Sequence, residues 1–214
     1  MDFMKGLPDN AYDLAIVDPP YGLSWDGQEA NNKTNRLKHV KKDWDSAIPT
    51  SDYFMALFRV SVNQIIWGGN FFNDYLGSYR CPIVWDKLQK WHSAEMELAW
   101  SSLDAMPKTF RFSRAQAYTG GDKIHPTQKP IALYKWLLQN YAKPGQTIFD
   151  SHVGSGSIRI ACHDLGFSFE GCELDADYHA AQEARFNEHK AQLTLFEPEE
   201  IREPVQQIEL DVRD

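Results

Sequence analysis

Residues 147–161 read TIFDSHVGSGSIRIA: a short apolar run, an acid, a turn with two glycines, then a run with helical spacing. A short apolar run closed by a turn signal predicts a buried strand. Gly154 and Gly156 allow a sharp turn and leave no Cβ between the start of the following helix and a ligand. A lone Gly-x-Gly is weak evidence, but this one sits between a strand and a helix. FSFEGCELD (167–175) predicts a further strand with Glu173 at its end, where a carboxylate can accept hydrogen bonds from both hydroxyls of a ribose. Dinucleotide sites place a third glycine where this chain has Arg159, and they have no acid at the entrance of the turn, where this chain has Asp150. An acid there repels a pyrophosphate and attracts an ammonium or sulfonium group. S-adenosylmethionine carries both, so the pattern predicts that cofactor rather than NAD. The plainer alternative makes Asp150 a cap for the turn and Glu173 a solvated strand end.

Working outward, strands and helices alternate. Residues 14–17 predict a strand, and 22–50 a polar connection too long to be idle. Ser51 or Asp52 can cap a helix to about Val62. QIIWGGNFF (64–72) predicts a strand broken at Gly68 and Gly69, followed by strands over Cys81–Lys87 and Met96–Ser102 and an irregular stretch over 103–124. Pro130 opens a helix, 155–165 a second, and Ala176 to about Gln192 the last. This order predicts an α/β, Rossmann-like fold with a mostly parallel sheet and helices on both faces. Ligands bind beyond the carboxyl ends of such strands, so Asp18, Asp150 and Glu173 are expected to share one rim.

With 214 residues, 43% hydrophobic and 24% charged, the chain suits one α/β domain of ordinary size. We expect a catalytic domain over 1–192 with recognition insertions around 23–50 and 86–124, then an acidic tail over 193–214. No window approaches a membrane span and no secretory leader opens the chain. Three cysteines without a Cys-x-x-Cys spacing argue against a disulfide framework or zinc ribbon; they predict no metal and a reducing cytoplasm. The net charge of −8 argues at first against a nucleic-acid partner. Its distribution does not, because the tail after Phe196 is acidic while Asn31–Lys42 carries Lys33, Arg36, Lys38, Lys41 and Lys42 without an acid. Lys108, Arg111 and Arg114 form a second basic group, and local patches matter more to phosphate binding than the sum. Either segment alone reads equally well as a solvated loop.

LAIVDPPYG (14–22) ends its apolar run in Asp18, Pro19, Pro20 and Tyr21. The exocyclic amine of a nucleobase is a poor nucleophile because its lone pair is delocalised into the ring. Two acceptors aimed at its N–H bonds favour a tetrahedral nitrogen and the charge it develops. Asp18 supplies one, the Pro19 carbonyl can supply the other, and Tyr21 offers a face for stacking a flipped base. Asp-Pro-Pro-Tyr after an apolar strand, with FDSHVGSGS far downstream, resembles the DNA amino-methyltransferases that modify adenine N6 or cytosine N4. The motif order resembles their β group, a circular permutation of the usual order. HPTQKP (125–130), IIWGGNFF (65–72) and FEGCELDADYHAAQEAR (169–185) also match, so the resemblance spans most of residues 2–190.

The resemblance implies a DNA methyltransferase acting on adenine N6 with S-adenosylmethionine, because Asp leans to adenine where Ser leans to cytosine N4. It implies catalytic roles for Asp18, Pro19, Pro20 and Tyr21. Asp150 would meet the methionine end of the cofactor, Glu173 the ribose, and Gly154, Ser155 and Gly156 would lie alongside. His125, Thr127 and Lys129 would join the same pocket, and Asp2 and Phe3 would lie near the adenine. The family's Asp-Pro-Phe is here Asp150-Ser151-His152, so His152 is expected to add a hydrogen bond where a phenylalanine is lost. Duplex DNA is the implied partner and a bacterial or phage-encoded, cytoplasmic enzyme the implied setting; a restriction partner and a homodimer are left open. QLTLF (Gln192–Phe196) resembles the pentapeptide that docks on the sliding clamp, or else it folds back on the protein. Three alternatives stand beside adenine N6: cytosine N4, an amine or amide of RNA or protein glutamine, and an inactive DNA-binding descendant of an enzyme.

Overall fold

The computed structural model describes residues 2–24, 42–89, 94–117 and 123–193, without the side chains of Asp2, Arg114 and Leu193. Lys33, Arg36, Lys38 and Lys41 lie outside the described residues, as do the chain after Leu193, including the last three residues of QLTLF, and the whole acidic tail.

Helix α1 (Asp2–Lys5) precedes β1 (Tyr12–Val17), α2 (Ser51–Val60) and β2 (Ser61–Trp67). Strands β3 (Ile83–Asp86), β4 (Met96–Ser101) and β5 (Lys108–Arg111) follow, then short α3 (Arg114–Ala117) and α4 (Ile131–Tyr141). Strand β6 (Thr147–Asp150), α5 (Ser157–Leu165), β7 (Ser168–Gly171) and α6 (Ala176–Leu193) complete the order. The strands form one seven-stranded sheet in the order β5-β3-β4-β2-β1-β6-β7. Only β4 runs against the others, antiparallel to both β2 and β3.

The central strand explains its own sequence. Leu14 and Ile16 project into one core cluster with Leu133, Leu137 and Ile158. Ala15 and Val17 project into the opposite one with Phe54, Leu57 and Phe149. A strand covered on both faces must be apolar without alternation, which is why the run from Leu14 to Val17 is unbroken. Helices α4 and α5 cover the first face and α2 the second.

Several elements differ from expectation. Strand β2 begins three residues early, at Ser61, and β7 ends at Gly171, two residues before Glu173. Residues 103–124 contain β5, which pairs in parallel with β3 (Ile83 opposite Lys108). It is an edge strand with mostly exposed side chains, held by backbone bonds, so it carries no apolar periodicity to reveal it. Helix α2 takes Thr50 as its N-cap and stops at Val60 because β2 begins at the next residue.

Candidate active site

The chain leaves β1 towards β2 on one side and later returns to β6 on the other, so β1 and β6 are parallel neighbours at a switch point in the sheet. Their carboxyl ends lie side by side; Asp18 follows the first and Asp150 closes the second. A cavity of about 750 Å³ opens there. Asp18, Pro20 and the turn from Ser151 to Ser155, His152 and Gly154 included, line it. Glu173, Phe3, His125, Thr127 and Lys129 border the same space. Pro19 is buried, and neither it nor Tyr21, Asp150 or Gly156 is among the residues that line the cavity.

The turn after β6 is shaped by left-handed backbone at Gly154 (φ +52°) and Gly156 (φ +71°), a region that disfavours any residue with a Cβ. A Cβ at Gly156 would also come within 3.0 Å of Gln182 Oε1. Glu173 ties the turn down: its Oε2 accepts the Gly154 N–H at 2.8 Å and its Oε1 the Asp175 N–H at 2.8 Å. Asp150 is 1% exposed and accepts the His152 N–H at 2.9 Å. Burial pushes its carboxyl up to about 8, and the charges of Asp18 and Glu173 add to that. Ser151 Oγ lies 2.8 Å from the Tyr53 hydroxyl and 2.9 Å from His152 Nδ1. Burial pulls His152 down to about 4, so its imidazole is neutral at pH 7. Ser155 Oγ pairs with Ser157 Oγ at 3.1 Å.

After β1 the chain is held from both sides. The N–H groups of Tyr21 and Gly22 donate to Asp45 Oδ1 at 2.7 and 2.9 Å. The Tyr21 ring stacks on Phe71, centroids 4.9 Å apart and planes 17° apart, so one of its faces is already covered. Its hydroxyl donates to Asp18 Oδ1 at 2.5 Å, and Lys129 Nζ donates to Asp18 Oδ2. Burial raises the Asp18 carboxyl above its ordinary value while the Lys129 ammonium works against that rise. The Tyr21 phenol is pushed well above its ordinary value by burial and by Asp18, and stays protonated.

The segment 125–130 serves both sides of the cavity. The His125 ring packs between Trp44 and Tyr178, at 5.2 and 4.3 Å between centroids, and beside Gly154. Thr127 Oγ1 lies 3.1 Å from His125 Nδ1. Four residues on, Lys129 reaches Asp18 and also Glu97 Oε2 at 3.2 Å. Glu97, on β4, takes Lys87 on its other oxygen at 2.6 Å. Burial alone would raise Glu97, but the two ammonium groups bring it down to about 2. Glu97 carries no signal in the sequence, because a lone acid in a strand looks like a solvated position. Only the pairing of β4 with β2 and β3 brings it to Lys129.

Of the basic residues expected to meet DNA, three have described side chains. Lys42 is bound to Asp175 at 2.5 Å and Asp177 at 2.8 Å, and lies over the Tyr178 ring. Lys108 donates to the neutral Asn140 amide oxygen at 2.6 Å, and Arg111 pairs with Asp86 at 3.2 Å. Among the described residues one group has metal-ligand chemistry, His163, Asp164 and His189. Lys135 pairs with the other oxygen of that carboxylate, Oδ2, at 2.7 Å.

Residues 64–184 match the family model described as DNA methylase, of the N6 and N4 methyltransferases. The chain is 24% identical over 213 residues to the type II methyltransferase M.HpaI of Haemophilus parainfluenzae, covering 82% of this chain and 68% of that one. The solved complex of M1.HpyAVI with SAM superposes with a TM-score of 0.57 at 17% identity, covering 86% of this chain and 92% of the other. The cytosine-N4-specific PvuII DNA methyltransferase superposes with a TM-score of 0.56 at 12% identity, covering 91% and 89%.

Proposed function

The chain belongs to the DNA methylase family, and on that premise we propose that it transfers a methyl group from S-adenosylmethionine to DNA, with the N6 amine of adenine as acceptor. The observation that carries this reading is that the Asp18 carboxylate and the glycine turn at Gly154 face one cavity.

The residues present fit the cofactor. Asp150 is a buried carboxyl that burial has lifted to about 8, and a cation brought beside it would draw it into its ionised form. Glu173, at the cavity rim, is acceptor-only chemistry suited to ribose hydroxyls. S-adenosylmethionine supplies a methyl group on a sulfonium, with a neutral thioether as leaving group.

The chain's own part is to hold and polarise the amine. Asp18 accepts one N–H, draws the nitrogen towards a tetrahedral shape and offsets the charge that it develops. No strong base is required before attack, because the proton becomes acidic only once the nitrogen has become cationic. Neutral His152, at the cavity wall, offers a hydrogen bond without adding a charge that would oppose a sulfonium. The second acceptor is assigned to the Pro19 carbonyl.

Adenine is favoured over cytosine by Asp18 itself, the acid at the head of the motif. The fold does not carry that choice, since a cytosine-N4 enzyme shares it. Duplex DNA methylated by the protein, digested to nucleosides and analysed by mass spectrometry should contain N6-methyladenine. N4-methylcytosine would overturn the choice of base. Methylation of RNA or of protein glutamine in preference to DNA, in a direct competition, would overturn the substrate class.

A further inference from the structure

Four side chains of alternating charge, Lys87, Glu97, Lys129 and Asp18, are paired in series, and the last two line the cavity. Lys129 is 3% exposed, lies over the Trp67 ring at 5.3 Å, and has carboxylates on two sides. A buried ammonium so placed is held by the balance of its two partners and not by solvent. Glu97 is anchored by Lys87, so it fixes where Lys129 stands, and Lys129 fixes one oxygen of Asp18.

We propose that Glu97 and Lys129 are positioning residues that orient Asp18, Lys129 favouring its ionised form and Glu97 moderating that pull, with Oδ2 as its anchored oxygen and Oδ1 as the one offered to the amine. The proposal rests on the methyl-transfer reading above. The two bonds on Asp18 differ in kind. Lys129 to Oδ2 joins two full charges, whereas Tyr21 to Oδ1 has a neutral donor, and ion-to-ion hydrogen bonds are the stronger. An incoming N–H therefore displaces the phenol and leaves the ammonium in place. Glu97 also restrains the pull on Asp18, because Lys129 shares its charge between two carboxylates. A carboxylate with the whole cation to itself would be a poorer acceptor for the amine.

The test follows the titration of Asp18 by carbon NMR of protein labelled at aspartate carboxyls, with Asp18→Asn supplying the assignment. Lys129→Met should raise the Asp18 midpoint by about one to three pH units, the size expected when an adjacent opposite charge is lost. Glu97→Gln should lower it, because Lys129 then serves Asp18 alone. Lys129→Arg should keep the midpoint near that of the parent. Opposite shifts from removing a cation and an anion are a signature that loss of packing would not give. In turnover, the acidic limb of the kcat profile should move the same way in each variant, with KM for the cofactor little changed. Lys129→Met should lose about a hundredfold in kcat at neutral pH, as expected for a misplaced reacting group. An Asp18 midpoint unmoved by both substitutions would overturn the inference even if the parent methylates DNA. Parent protein that binds cofactor and never methylates would overturn the functional reading, whatever the titration shows.

Discussion

Gly68 lies directly beneath the ring of Tyr21: a Cβ at that position would come within 2.2 Å of Tyr21 Cε1. The glycine that breaks the second strand is thus the floor on which the tyrosine of the Asp-Pro-Pro-Tyr turn rests. Its φ of +71° adds a second reason for glycine. Two distant motifs are locked together at this point, with Phe71 stacked on the ring.

Gly68→Ala should therefore displace Tyr21 and release its bond to Asp18. Overpacking and left-handed strain together should cost about 1–3 kcal/mol of stability, read from urea unfolding. Methyl transfer should fall more steeply than stability alone explains.

Asp18→Ala should abolish methyl transfer, with a loss of at least about a hundredfold, as for removal of a group that stabilises developing charge. Cofactor affinity, measured by calorimetry, should not fall, since the turn from Asp150 to Gly156 is untouched and Asp150 loses a neighbour that opposes its ionisation. Normal transfer by that variant would defeat the mechanism.

Asp150 makes cofactor binding depend on pH. In the free protein its carboxyl lies near 8, against 3.8 for an unburied aspartate, so at pH 7 it is largely protonated. A ligand ammonium needs the ionised form, so binding should release a proton, and affinity should weaken about tenfold for each pH unit below 8. Asp150→Asn should bind weakly and lose that dependence. The free protein should show the opposite trend in stability, because the folded state holds a proton that the unfolded state has lost. This group's contribution is therefore full below pH 4 and declines as pH rises through 8.

Lys42 and Lys108 should respond differently when DNA binding is measured against salt. Lys42 is neutralised by Asp175 and Asp177, so Lys42→Met should leave the salt slope nearly unchanged. It should weaken cofactor binding instead, by loosening Trp44 and Tyr178 around His125. Lys108 is bonded to a neutral amide, and Lys108→Ala should lower the slope by about one if it meets a phosphate.

The local order of residues by itself determined the class of fold and the existence of most of its strands, though not their exact ends. Unbroken apolar runs such as Leu14–Val17 read as strands covered on both faces, and Gly154 and Gly156 as a turn between strand and helix, because burial and backbone sterics act on neighbours in the chain. For the same reason Asp18 and Glu173 could be expected at one cavity before any coordinates, whereas Asp150, expected on the same rim, is buried outside its lining. Tertiary structure alone decided what those acids touch. Glu173 turned out to brace the glycine turn, and Lys129, expected beside a cofactor, lies between Asp18 and Glu97. Lys42, expected on DNA, is held by Asp175. The edge strand Lys108–Arg111 and the reversal of β4 were equally illegible. Each of these depends on partners tens of residues away, and a charge or an unpaired edge carries no periodicity that says which partner it will meet.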